Sequence, residues 1–162
     1  MGGVNIQNPI IQKLDELDIA IIKEFQQNGI IHYKELSNRL GVAQSTVYDR
    51  VRRLKEEKVI LEILPLLDAN KCGLPITAWI RISIRNIQDI DRISKELAKI
   101  DEILEVFEIS GKWDILVKTK VENNEELRNL EVYKIGLIEG IIGLYSIIAI
   151  RTEKEDIRLS FK

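Results

Sequence analysis

Apolar residues recur at helical spacing through the first third of the chain. Leu17, Ile21 and Phe25 fall at i, i+4 and i+8, with Ile22 beside them, and Asn28-Gly29 closes the run, which predicts a first helix. Leu36 and Leu40 mark a second, short helix that must stop at Gly41, and Val47, Val51 and Leu54 mark a third. The three would share one small core, since two helices around a tight turn bury too little apolar surface alone. Between Lys58 and Leu67 the run VILEILPLL reads as an apolar strand pair broken at Pro65, either a short two-stranded wing or the strand by which two subunits meet.

After the turn-rich segment 68–75, DANKCGLP, the period changes from helical to alternating. Ile76 to Arg85 puts Ile76, Ala78, Ile80, Ile82 and Ile84 on one face and Thr77, Trp79, Arg81, Ser83 and Arg85 on the other. Ile90, Ile93, Leu97 and Ile100 then keep helical spacing. Ile103–Ile109 and Ile115–Val121 read as strands joined across Ser110-Gly111-Lys112-Trp113-Asp114. Leu127, Leu130, Leu137 and Ile138 mark another helix, and Leu144–Thr152 a last strand.

The order β-α-β-β-α-β predicts a ferredoxin-like layer, and the chain as a whole an α+β protein. Its parts are a helix-turn-helix (winged-helix-like) domain at 1–67 with an arm at 1–13, a linker at 68–75 and the ferredoxin-like domain at 76–162. The sheet would leave one face uncovered, exposing Trp79, and such a face suits a subunit interface. An RNA-recognition module shares the topology but stacks bases on aromatic residues of its central strands. Strand three, DILVKTKV, has none.

The chemistry sits in the helices. Ser37, Gly41 and Val47 supply a small residue, a glycine four later and a branched apolar residue six later again, the spacing that lets two helices cross around a tight turn. The outward side of the third helix, Gln44 to Lys58, then offers Gln44, Ser45, Thr46, Tyr48, Asp49, Arg50 and Arg53. Arg and Gln can address base edges, while Arg, Ser and Tyr can hold phosphate oxygens, so the expected partner is double-stranded DNA. A solvated helical hairpin gives the same periodicity, but not the arginine cluster at that turn spacing. Ala43 stands where a Ser, Thr or Asp cap is usual, which leaves Ser45 or DNA phosphates to meet the first amides.

Charge refines this picture. The net charge is −2, yet Ala43–Lys58 holds five Lys or Arg against three Asp or Glu, so basic charge is local and affinity should come from summing helices in an oligomer. His32 and Cys72 are the single histidine and cysteine, forty residues apart, and form no triad or thiolate pair. Neither G-x-x-x-x-G-K-S/T nor G-x-G-x-x-G occurs. Glu153, Glu155 and Asp156 read as a solvated face rather than a metal site. The expectation is a protein without enzyme activity, metal or cofactor. No apolar signal core opens the chain and Gly136–Ile150 is too short to span a bilayer, so the expected compartment is the cytoplasm.

Taken together, RVRRLKEEKVI (Arg50–Ile60), the linker and SGKWDILVK (Ser110–Lys118) resemble the Lrp/AsnC, or feast/famine, transcription regulators, over nearly the whole chain from Leu14. The resemblance implies a dimer built through the C-terminal sheets, assembly into higher oligomers, commonly octamers, and a small effector, often an amino acid, held where dimers meet. Carried over, the effector site comprises Ser110, Gly111, Asp114, Leu144 and Ser146. Gly111 would permit a tight turn offering amides to a carboxylate, and Asp114 an anion for an ammonium; alternatively the two only close a strand connection. Ser37 departs from the family's usual Ala, and the glycine-rich Leu137–Leu144 lacks a proline many members carry. The expected function is a sequence-specific DNA-binding regulator. The rivals are a nonspecific architectural DNA protein and a small-molecule-binding domain whose helices serve assembly.

Overall fold

The computed structural model describes residues 14–30 and 32–161, so the expected arm at 1–13 lies outside the described residues. Helix α1 (Glu16–Asn28) begins at a reciprocal cap: Asp15 accepts from the Asp18 amide at 2.9 Å, and Asp18 accepts from the Asp15 amide at 3.2 Å. It ends at Gly29 in the left-handed conformation. Helix α2 (Tyr33–Leu40) starts at His32 and stops at Gly41, whose φ of 67° turns the chain into α3 (Gln44–Glu56). Ser37 is buried at that crossing, its hydroxyl donating to the Lys34 carbonyl at 2.9 Å. Ile21, Ile22, Leu36, Val47, Val51 and Leu54 form the core, with Leu17, Phe25 and Leu40 packed around it.

The segment after α3 departs from one of the two readings of that run, the two-stranded wing. The amides of Val59 and Ile60 both donate to the Leu54 carbonyl, at 2.9 and 3.0 Å, and finish the helix. Residues 59–67 then run on without forming a strand, so no wing exists among the described residues. The chain supplies no partner edge there, and Pro65 lacks a donor. Leu61, Leu64, Leu66 and Leu67 are all left exposed.

The second unit is a four-stranded antiparallel sheet of β1 (Ile76–Ile84), β2 (Ile103–Glu108), β3 (Ile115–Val121) and β4 (Ile141–Ile148). Their order is β2-β3-β1-β4, the ferredoxin-like arrangement. Ala78, Ile80 and Ile82 are fully buried, as the alternation in β1 requires, against Ile93 and Leu97 of α4 (Ile90–Leu97) and Ile115 and Val117 of β3. Each such buried isoleucine contributes roughly 1.5–3 kcal/mol.

Two boundaries differ from the periodicity. The last helix is composite: α5 (Asn124–Asn129) runs into a π-helical turn at Leu130–Lys134 and a 3₁₀ turn at Ile135–Leu137. At Gly136 a side chain would stand 2.9 Å from the Glu131 carbonyl oxygen, so the close turn depends on glycine there. Strand β4 spans Ile141–Ile148 rather than Leu144–Thr152, because the turn at Gly140 lets Ile141 pair with Ile84 across a bulge, and pairing with β1 stops at Ala78.

The chain divides into two compact units. One runs to Leu66 and takes back the tail from Asp156, and the other spans Leu67–Glu155. The tail groups with the helices because Gln26 and Leu159 exchange hydrogen bonds, at 3.0 and 2.7 Å, and Phe161 packs on the helical core.

Candidate nucleic-acid interface and effector site

Helix α3 turns Val47, Val51 and Leu54 inward and leaves Gln44, Ser45, Tyr48, Asp49 and Arg52 exposed, with Thr46 half-buried. No side chain caps its first turn, and Ala43 is extended there. Its leading amides point away from the helix body with the positive end of the helix dipole, an arrangement that suits a phosphate. Tyr48 lies 5.9 Å, ring to ring, from Tyr33 of α2, which steadies a side chain that is still 56% exposed.

Arg50 and Arg53 occupy a different position from the other predicted residues. Both reach across to α1, where Asp18 is only 1% exposed. Arg50 Nη1 lies 3.1 Å from Asp18 Oδ1 and also bonds Asp15, and Arg53 Nη2 lies 2.5 Å from Asp18 Oδ2. A carboxylate that deep needs such partners, because an unpaired buried charge is costly. The bond from the Asp18 amide, and then Arg50, hold the Asp15 carboxyl below its ordinary range, and Asp15 and Asp18 in turn raise Arg50. These arginines set the angle of α3 against α1.

Arg52 is therefore an outward cation, with a side chain 60% exposed and long, screened contacts to Asp49 at 3.6 Å and Glu56 at 3.8 Å, and Lys55 is exposed near the end of the same helix. Sequence reasoning missed Arg52. A helical wheel drawn from Val47, Val51 and Leu54 puts Arg52 beside Ser45 and Asp49 and leaves Arg50 on the flank, so the signal was present.

The expected effector residues do not converge within one chain. Asp114 ties the connection between β2 and β3 to the end of β1: its amide donates to the Ile82 carbonyl at 3.0 Å, and its Oδ2 accepts from the Ile84 amide at 2.9 Å. Gly111 adopts φ 125° in that turn. Ser110 lines an open cavity of about 360 Å³ with Trp79, Arg81, Trp113, Leu116 and Ile147 on the uncovered face of the sheet. Arg81 lies over the Tyr145 ring at 5.8 Å, and Trp113 stands 5.8 Å from the same ring.

Leu144 and Ser146 point the other way. They pair with Ile82 and Ile80, whose side chains are in the core, so they face the helices. Leu144 packs on that core, and the Ser146 hydroxyl donates to the half-buried carboxylate of Glu131 in the π-helical turn. Glu131 was not singled out in the sequence. Only the register of β4 against the irregular helix brings it to Ser146.

Comparison with known proteins extends over both units. The sequence model for the AsnC-type helix-turn-helix domain matches residues 14–55, and that for the Lrp/AsnC ligand binding domain matches residues 77–159. The HTH-type transcriptional regulator FL11 of Pyrococcus horikoshii is 36% identical over 149 residues, which cover 92% of this chain and 97% of that protein. FL11 of Pyrococcus furiosus is 34% identical over the same length. Among solved structures, E. coli AsnC superposes with a TM-score of 0.81 at 23% identity, covering 87% of this chain and 95% of that one. A transcriptional regulator of Neisseria meningitidis, solved as an L-Met complex, gives 0.82 at 24% identity, covering 91% and 96%.

Proposed function

The chain belongs to the Lrp/AsnC family of transcriptional regulators, and from that premise we propose that it reads DNA through α3 and answers to an amino acid held by its second unit. The observation that carries this reading is the outer face of α3, where Gln44, Ser45, Tyr48, Asp49 and Arg52 are exposed beside an uncapped helix start. Arg52, Ser45 and the leading amides take phosphates, and Gln44, Asp49 and Tyr48 address the major groove. Arg50 and Arg53 contribute by fixing the helix, and Arg50 can share its remaining donors with a phosphate.

One such face makes few phosphate contacts, so specific affinity requires at least a dimer. The uncovered sheet face supports that assembly: Phe107 and Tyr145 are exposed beside Trp79 and Leu116, an apolar patch suited to a second copy. Dimers assemble further, with an octamer as the expected state. The effector sits where dimers meet, with Ser110, Gly111 and Asp114 from one side and Leu144 and Ser146 from another. That two-sided construction accounts for their separation within one chain. A structural neighbour solved with L-Met supports an amino acid as the effector class. The chain works by binding rather than catalysis, in the cytoplasm, and no helix among the described residues is long and apolar enough to cross a membrane.

The test is a fluorescence-anisotropy titration against the chain's own upstream DNA and a scrambled duplex at fixed salt, with and without the twenty amino acids. Preference for the upstream duplex by about 10³-fold or more, shifted by the amino acids, is the expected result. Equal, salt-sensitive binding to both duplexes would instead identify an architectural DNA protein.

A further inference from the structure

Beyond Ile148 the chain leaves the sheet and remains fastened to it. The Ala149 amide donates to the Thr77 carbonyl at 2.9 Å. Six residues later Glu155 lays its carboxylate between two lysines of β3, Oε1 2.8 Å from Lys118 Nζ and Oε2 2.8 Å from Lys120 Nζ. Standing at i and i+2, the lysines share the uncovered face, and their side chains are only 13% and 16% exposed. Lys120 also donates to the Thr77 hydroxyl at 2.8 Å, and Lys118 lies 3.4 Å from Glu105. The Glu155 carboxylate stands on the wall of a cavity of about 330 Å³, lined also by Asp68, Asn70, Thr77 and Arg151.

This is the construction of a small-anion receptor with a piece of the chain in the ligand's place. The strand holds two ammonium groups at a spacing that one carboxylate bridges with both oxygens, the strong, charge-assisted form of the bond. Glu155 brings little packing of its own, since its neighbours Glu153 and Lys154 are exposed. If it left unreplaced, two largely buried ammonium groups would keep only Glu105 and Thr77 for partners, which is unfavourable. Exchange for another anion avoids that cost.

We propose that Lys118, Lys120 and Thr77 form a binding site for a small carboxylate or phosphate anion, filled in cis by Glu155, and that an outside anion taking it over releases residues 149–155 from the sheet. The site shares no residue with the effector set read from Ser110, Gly111, Asp114, Leu144 and Ser146, and it does not depend on that reading.

A tethered carboxylate competes at an effective concentration on the order of millimolar, so removing it should tighten binding of an outside anion about tenfold or more. Calorimetric titration of the full chain with succinate and, separately, inorganic phosphate tells the two chemistries apart. The expected result is that E155Q binds at least one of them about tenfold more tightly than the parent chain and that E155Q/K120Q loses the gain. No gain in E155Q, or a gain that survives K120Q, overturns the proposal. Hydrogen exchange in the unsubstituted chain gives a second reading that does not rely on E155Q folding. Adding the anion should speed exchange across 149–155, where the Ala149 amide is held by the Thr77 carbonyl, and the K120Q chain should show no such dependence. An exchange rate indifferent to both anions overturns the release.

Discussion

Arg53 and Asp18 meet guanidinium to carboxylate, Nη2 to Oδ2 at 2.5 Å, across the packing of α3 on α1. Asp18 is 1% exposed, whereas the Arg53 side chain is 34% exposed. The two sides of the pair are therefore not equivalent. Asp18→Asn leaves arginines that can turn to water, and it should cost about 1–3 kcal/mol. The double substitution Arg50→Ala and Arg53→Ala leaves a buried carboxylate without a counter-charge, and it should cost about 3–5 kcal/mol. Urea unfolding of the three chains checks the order.

Arg52 should behave in the opposite way. Its contacts are exposed and screened, so Arg52→Ala should leave the melting temperature unchanged while DNA affinity falls and the salt slope drops by about one. Arg53→Ala should lower both stability and affinity. Anisotropy titrations across a salt series, run beside thermal melts, separate a residue that touches phosphate from one that aims the helix.

The division between these arginines shows what the sequence disclosed. The helix-turn-helix and the β-α-β-β-α-β order were legible because Val47, Val51 and Leu54, and the isoleucines of β1, repeat with the period of their element. Which flank of α3 meets α1 was not, because nothing in the period of α1 marks Asp15 and Asp18, and only tertiary packing brings them to the arginines. The same holds for Ser146, whose partner Glu131 is fifteen residues away across a π-helical turn. The two-stranded wing, one of two readings of residues 59–67, has apolar content and no partner edge within the chain. Strand propensity alone does not close a ladder.

Acid should weaken the fold in a defined window. The Asp15 carboxyl is held down by the Asp18 amide and Arg50, Glu102 by Lys134, and Glu155 by Lys118 and Lys120. Each is more acidic folded than unfolded. Their stabilisation is fully present above the unfolded values and is lost as pH falls through the folded ones. The urea midpoint should therefore be flat from about pH 7 down to about 5 and fall below that. Glu102→Gln should flatten part of the fall. Lys118 and Arg50 are raised by their carboxylate partners, so their contribution is present at neutral pH and lost only as strongly alkaline pH passes through the folded values.

Two glycines of the second unit make a matched test of the composite helix. A methyl group at Gly136 would lie 2.9 Å from the Glu131 carbonyl oxygen, a backbone atom that cannot swing aside. A methyl at Gly143 would meet Ser83 Cβ at 3.6 Å and the Trp113 ring at 4.0 Å, ordinary contact distances. Gly136→Ala should then cost about 1–3 kcal/mol through displacement of the π-helical turn. Gly143→Ala should be neutral or stabilising by up to about 1 kcal/mol, because it narrows the unfolded ensemble without strain. The displaced turn carries Glu131, so the Ser146 hydroxyl should lose its acceptor in Gly136→Ala alone. Thermal melts of the two variants, with effector titrations of each, distinguish a turn needed to hold Glu131 against Ser146 from one that only closes the fold.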